Sequence, residues 1–519
     1  MSIPEIRTIG ARKHLFLNGK PFRILGGEVH NSSSSSLEYM REKVWPAVRP
    51  LNMNTLVAPV FWECVEPEEG VFNFDLVKGL IDDARNENMR LVFLWFGLWK
   101  NGESTYIPAY VKRDYNQYFR VRDKFGKPLR IISPLCEAAI NADAAAFKKL
   151  MEFIKGYDEK ENTVLMMQIE NEMGVLGAER DFSPFADSVF NAEIPKAVSN
   201  YFNVKGNWRQ AFGSEADEKF MAYYYACATD SIAQAGKSAY PIPMYVNAWL
   251  QQFPWVPGSY PSGGPVAKES AMWKCAAPNV DFLAPDIYVD YFGDVADEYS
   301  SASSALAIPE VRNTIDSVPF LFYAVGAHNA MCFSPFAIED LFMAGVEKPD
   351  PAVLARLNIS EEAFSSGEKA GRYLAKAYSI ISGMEDIINE NFLNGRVHGF
   401  LEHGDNGTFI RLKEYELKIT WHGSQMGFSM PVKKPGDPLA GGFVIELDDN
   451  TFIFAGTGFN VEVLPKLGET VAVDVIKKEE GVFIDNVWTP GRILNGDEGY
   501  LIMLDAEPQV QKVEVYKFK

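Results

Sequence analysis

Apolar runs separated by helical spacers recur through the first two thirds of the chain, at residues 22–29, 54–61, 91–96, 164–169, 243–247, 282–285, 305–308 and 320–325. Short apolar runs bounded by polar residues fit strands covered on both faces. Their alternation with helical segments is the rhythm of a parallel sheet or barrel. Eight such runs predict an α/β fold, a (β/α)8 TIM barrel. The clearest spacer is 74–85, where Leu76, Val77, Leu80, Ile81 and Ala84 keep to one helical face. Residues 144–154 repeat the pattern. A last helix over 370–391 carries Leu374, Ala377, Tyr378 and Ile381 on one face and stops at Asn394-Gly395. Beyond residue 397 the texture changes to short alternating runs cut by Gly, Asp and Asn turns, which predicts an antiparallel β-sandwich. The expected division is a catalytic barrel over 1–396 and an accessory β-domain over 397–519.

Composition narrows the partners. A chain of 519 residues exceeds what one ordinary core serves, in keeping with two domains. The formal charge of −19 argues against nucleic acid, whose phosphates draw on clustered Lys and Arg. A neutral substrate fits better. Ten Trp and twenty-two Tyr offer flat amphipathic rings that fill a core and can also stack on sugar faces. The five cysteines, Cys64, Cys136, Cys227, Cys275 and Cys332, are scattered, so neither a disulfide framework nor a CxxC metal site is expected. No His and carboxylate cluster suggests a metal, and no cofactor is expected. No apolar stretch reaches about 18 residues, so no membrane span is expected, and the first residues lack the apolar region of a signal peptide. Localisation stays open: cytoplasmic as the chain stands, periplasmic or secreted if a leader has been removed. A homo-oligomer is compatible with this composition.

The candidate chemistry lies at strand ends. The apolar run 163–167 closes in Gln168-Ile169-Glu170-Asn171-Glu172-Met173-Gly174. In closed α/β barrels the residues just past a strand's C-terminal end face the active site. An amide beside a carboxyl suits glycoside chemistry, because it both donates to and accepts from sugar hydroxyls while the acid protonates a leaving oxygen. The plainer alternative is that Glu170 and Glu172 cap a strand at the surface. A second carboxylate on another strand end decides between these readings. Residues 305–308 supply one: Pro309 marks the strand's exit, and Glu310 follows. Glu339 and Asp340 are rivals, but after Ser334-Pro335 they read as the start of a helix, where acids suit the dipole.

Asn-Glu at the end of strand four with Glu at the end of strand seven resembles the clan A glycoside hydrolases. The stretch from Asn52 to Asp75, with Trp62, Glu63, Glu66-Pro67, Gly70, Phe72 and Phe74, is similar to a segment of the family 35 and family 42 β-galactosidases. Gln-Ile-Glu-Asn-Glu-x-Gly resembles the family 35 motif in particular. The resemblance covers residues 20–340 and implies a retaining enzyme. It implies Glu172 as acid/base, Asn171 as a contact of the sugar 2-hydroxyl, and Glu310 as nucleophile. It departs after strand three, where the family carries an Ala-Glu that contacts galactose and this chain has Trp95-Phe-Gly-Leu-Trp99-Lys100-Asn101. Trp99 and Lys100 are accordingly the candidate sugar contacts there.

Further candidates sit at the other strand ends. Trp62 would wall the subsite and Glu63 accept sugar hydroxyls after strand two. Glu28 and His30 end strand one, Asn247 and Trp249 follow strand five, and Asp286 and Tyr288 follow strand six. In related enzymes a Tyr at that last place hydrogen-bonds the nucleophile, which implies the role for Tyr288. His328 and Asn329 stand just past the eighth run. The expected reaction is release of terminal β-D-galactose from an oligosaccharide or polysaccharide by double displacement. The alternatives are another sugar (β-glucoside, β-xyloside or α-L-arabinopyranoside), endo-acting cleavage of a polysaccharide, or, from another class, a non-catalytic carbohydrate-binding protein.

Overall fold

The computed structural model describes residues 2–342, 350–357, 367–404, 407–423, 433–498 and 501–519. Eight parallel strands close a barrel in chain order: β1 (Ile24–Glu28), β2 (Thr55–Phe61), β3 (Arg90–Lys100), β4 (Val164–Asn171), β5 (Met244–Trp249), β6 (Phe282–Ile287), β7 (Ala307–Val311) and β8 (Cys332–Pro335). Every residue of β1, β2, β4, β6, β7 and β8 is buried, which is why their sequences read as unbroken apolar runs rather than alternating ones. Among the helices, α1 (Asp75–Asn86) buries Val77, Leu80, Ile81 and Ala84, the stripe its spacing predicts. A longer helix, α2 (Glu137–Asp158), covers and exceeds the expected 144–154. No helix among the described residues is long and apolar enough to cross a membrane.

The eighth run is not a strand. Residues 320–325 lie within a helix, α3 (Ser317–His328), and the barrel's last strand is the shorter β8 that follows it. The cause is burial on all sides. Phe320 stacks on Phe292 with centroids 4.2 Å apart, Phe322 meets Phe443 at 6.0 Å, and Gly326 lies against Phe443 and Gly399. A helix covered all round is apolar all round and shows no 3.6-residue period. Ser334-Pro335 ends β8, and Glu339 and Asp340, read as the start of a helix, lie in the first turn of a short 3-10 helix, Ile338–Asp340. Pro309 is inside β7 rather than beyond it. The single helix expected over 370–391 is two, α4 (Glu368–Gly383) and α5 (Glu385–Leu393), and the chain turns at Gly395 with φ +67°.

Contacts gather the chain into two compact units: residues 1–45, 54–287 and 298–310 form the first, and 46–53, 288–297 and 311–519 the second. The first holds β1 to β6 and the strand-end acids described below. In the second, ten antiparallel strands among the described residues follow α5: β9 (Val397–Leu401), β10 (Thr408–Arg411), β11 (Tyr415–Trp421), β12 (Gly441–Glu446), β13 (Thr451–Thr457), β14 (Phe459–Pro465), β15 (Ala472–Ile484), β16 (Val487–Ile493), β17 (Ile502–Leu504) and β18 (Gln509–Phe518). They form a six-stranded sheet in the order β9-β12-β13-β18-β15-β16 and a four-stranded sheet in the order β10-β11-β14-β17. Alternate residues of both sheets, among them Leu417, Ile419, Val444, Phe452, Phe454, Phe459 and Val513, meet in one apolar core. Phe452 is fully buried with its ring edge-on to Tyr415 at 5.8 Å. Phe452→Ala is expected to lower unfolding free energy by about 3–5 kcal/mol, read as a drop in Tm by calorimetry.

Candidate active site

The site begins with a local break in β3. The pairing of β3 with β4 runs regularly to Trp95 opposite Ile169, then resumes at Lys100 opposite Asn171. Four residues, 96–99, therefore face a single residue of β4, an extended bulge that re-aims the end of the strand. The bulge turns backbone N–H groups onto a buried acid. Leu98 N donates to Glu170 Oε1 at 3.1 Å and to Asp143 Oδ2 at 3.0 Å, and Trp99 N donates to Glu170 Oε2 at 2.6 Å. Asp143 also accepts from the Trp95 indole at 2.6 Å. Burial, and next the neighbouring Asp143, holds Glu170 well above the usual carboxylate range. Gly97 is required there. A Cβ would stand 2.5 Å from both Asp143 Oδ2 and the Trp95 indole nitrogen.

Past the bulge, Lys100 Nζ donates to Asn171 Oδ1 at 2.7 Å. The backbone of β4 bends to receive it: Glu170 and Glu172, on either side of Asn171, both hold left-handed φ values, 60° and 44°. Left-handed backbone at non-glycine residues is costly and collects at functional sites. Its effect here is to break strand alternation, so that Asn171 and Glu172, though consecutive, both turn toward Glu310. Asn171 Nδ2 donates to Glu310 Oε1 at 3.1 Å, and an oxygen of Glu172 lies within 4.8 Å of one of Glu310.

Asn247, on β5, ties the remaining groups together. Its Oδ1 accepts the backbone N–H of Glu172 at 3.0 Å, and its Nδ2 donates to Asp286 Oδ2 at 2.7 Å and to Glu310 Oε1 at 3.4 Å. Asp286, near the end of β6, makes a third carboxyl: oxygens of Glu172, Asp286 and Glu310 all lie within 4.8 Å of one another. Glu28, at the end of β1, adds a fourth nearby charge, felt at Asp286. Burial first, then the charge of Glu310, raises Glu172 to about 7, against the opposing pull of Lys100 and a hydrogen bond with Asp286. Asp286 is pushed well above the carboxylate range, by burial and then by Glu310, Glu172 and Glu28. Three carboxyls this close are near enough to bridge a hard cation. They equally meet the separation of about 5 Å that a nucleophile and acid/base pair needs.

Of the residues singled out in the sequence, Glu172, Glu310, Asn171, Asn247, Lys100 and Glu28 come together. Four others do not. Trp62 is fully buried, its indole N–H on Glu66 Oε2 at 2.8 Å, and a ring with no exposed face cannot wall a sugar subsite. Glu63 pairs with Lys112 at 3.0 Å, both side chains about two-fifths exposed. Trp99, the last residue of the bulge, is turned into the core, its N–H on Ile132 O at 3.0 Å and its ring edge-on to Tyr225. His328 ends helix α3 and is bonded to Asp297 at 2.8 Å. Tyr288 is half-buried one residue past β6. Asp286, named from the sequence only by its place after strand six, joins the site as a third carboxyl, ending an apolar run in the same manner as Glu172 and Glu310.

The chain is similar to a β-galactosidase of Xanthomonas manihotis, 26% identical over 175 residues, which cover 32% of this chain and 26% of that protein. The match thus spans about a quarter of that relative's length. Residues 374–504 match a family model described as "Domain of unknown function (DUF5597)". Solved structures with likeness to the chain include β-galactosidases from Bacillus circulans sp. alkalophilus (TM-score 0.49, 14% identity, 70% of this chain and 57% of that one) and from Rahnella sp. R3 (TM-score 0.48, 13% identity, 71% and 57%).

Gly97→Ala is expected to force apart the acids under the bulge and cost about 1–3 kcal/mol of stability. Urea denaturation measures that loss, and a circular dichroism spectrum unchanged at low urea would locate the damage to packing rather than to the fold.

Proposed function

We propose that the protein is a retaining glycoside hydrolase that releases terminal β-D-galactose from β-galactosides, with Glu310 as nucleophile and Glu172 as acid/base. The observation that carries this reading is the closeness of the two carboxyls at the ends of β4 and β7, oxygen to oxygen within 4.8 Å, which leaves no room for the intervening water of an inverting enzyme. The sequence likeness to a β-galactosidase supports the choice of sugar.

The geometry fits each half of a double displacement. Glu310 attacks the anomeric carbon while the amides of Asn171 and Asn247, both on Oε1, fix the plane of its carboxylate. Glu172 begins protonated, gives its proton to the leaving oxygen, and then takes one from the water that releases the sugar. Its elevated pKa suits both duties near neutrality. Asn171, whose Oδ1 is held by Lys100, would present its amide toward the 2-hydroxyl. The substrate is then an oligosaccharide or polysaccharide bearing a terminal galactoside.

Glu172→Gln and Glu310→Gln are each expected to reduce kcat/KM on a nitrophenyl β-galactoside by at least about 100-fold; activity surviving in both would remove the assignment. Product analysis by NMR should show the β-anomer first. A panel of nitrophenyl glycosides tests the sugar, and a preference for α-L-arabinopyranoside or another glycoside over galactoside would replace the named substrate while keeping the mechanism. Because Glu172 must hold its proton to act as an acid, kcat/KM should fall as pH rises through about 7.

A further inference from the structure

Asp286 stands out among the buried groups because the two-carboxylate scheme gives it no task. It is 3% exposed. Its Oδ2 accepts the Asn247 amide at 2.7 Å, whereas Oδ1 is buried and meets no donor. A carboxylate with one buried oxygen unserved, set beside Glu172 and Glu310, would carry a heavy desolvation and repulsion cost. A proton on Oδ1 removes both costs and turns the orphan acceptor into a donor. A partner is in reach, since oxygens of Asp286 and Glu172 lie within 4.8 Å of each other, a closeness that two bare carboxylates resist.

We infer that Asp286 is a positioning residue for the proposed acid/base: its neutral acid, held in place by Asn247, donates an O–H hydrogen bond to Glu172 throughout the reaction. This rests on the reading of Glu172 and Glu310 given above. In the first step the bond between the anomeric carbon and the leaving oxygen breaks as the bond to Glu310 forms, and Glu172's proton goes to the leaving oxygen. The Asp286 proton stays where it is and stabilises the Glu172 carboxylate just created. In the second step water gives its proton to Glu172 and its oxygen to the anomeric carbon, and the Glu310 ester bond breaks. The charged and titratable groups that face this pair are Glu28 from β1, Lys100 from β3 and Glu310 from β7; of these, Lys100 acts on Glu172 in the same sense as the Asp286 hydrogen bond.

The test compares Asp286→Asn, which keeps a donor and an acceptor of the same size and cannot titrate, with Asp286→Leu, which keeps neither. A donor to the carboxylate form lowers the pKa of its acceptor, so its loss raises Glu172 and should carry the alkaline limb of kcat/KM upward by about one pH unit in Asp286→Leu. Asp286→Asn should keep the limb where the wild type has it. On a dinitrophenyl glycoside, whose departure needs little protonation, Asp286→Leu should lose at least about tenfold less activity than on an alkyl glycoside of the same sugar. Equal losses on both substrates, or a limb displaced alike in both variants, would overturn the inference, as would an unmoved limb in Asp286→Leu. Glu310→Gln run alongside separates the two levels: if it stays active the proposed mechanism itself fails, whereas an inactive Glu310→Gln with an unmoved Asp286→Leu limb rejects the role of Asp286 alone.

Discussion

The constraint that governs this molecule is the cost of gathering acids away from water. Glu28, Glu172, Asp286 and Glu310 stand at strand ends with little solvent, and each unpaired charge there is expensive. Two asparagines and one lysine hold the arrangement together. Asn247 touches three of its members through one amide, and Asn171 joins Lys100 to Glu310. Protonation meets the rest of the cost, since burial and mutual repulsion push Glu172 and Asp286 upward. The same repulsion that threatens stability thus prepares an acid.

Much of the backbone supporting the site serves to bring these groups within reach. The bulge at 96–99 lets β3 end with Lys100 opposite Asn171, and the Glu170 and Asp143 pair receives the N–H groups that the bulge withdraws from the ladder. Glu170, beside Asn171 and the proposed acid/base, is therefore an anchor for backbone. The left-handed residues on either side of Asn171 complete the device.

The barrel, its first seven strands and the antiparallel C-terminal sheets were legible because burial on both faces of a parallel strand, and on one face of an antiparallel one, writes different periods into the sequence. Glu172 and Glu310 were legible for a related reason, as acids closing apolar runs. What escaped follows from places where period and environment part. Helix α3 is buried along most of its length and so mimicked a strand, which made its last residue, His328, look like a strand-end residue. Trp99 fell inside a bulge, where counting alternate residues no longer tells which side a chain faces. Trp62 is adjacent to a true strand end, but a turn of helix over Trp62–Val65 brings its ring onto Glu66. Asp286 carries the same signal as the two named acids, an acid closing an apolar run, but nothing in the sequence distinguishes a third carboxyl of the cluster from a strand-end acid without a role.

Helix α3 also bears on how the chain is made. Gly326 and Phe322 lie against Gly399 and Phe443, more than seventy residues later in the case of Gly326 and Gly399 and over a hundred for Phe322 and Phe443. During synthesis from the N-terminus, the face that becomes covered by β9 and β12 emerges bare and stays so until those strands have left the ribosome. Apolar surface left open in that interval favours aggregation, and the C-terminal sheets remove it from water. Seen this way, the last strands act as an intramolecular cover for a segment that could not safely wait on its own.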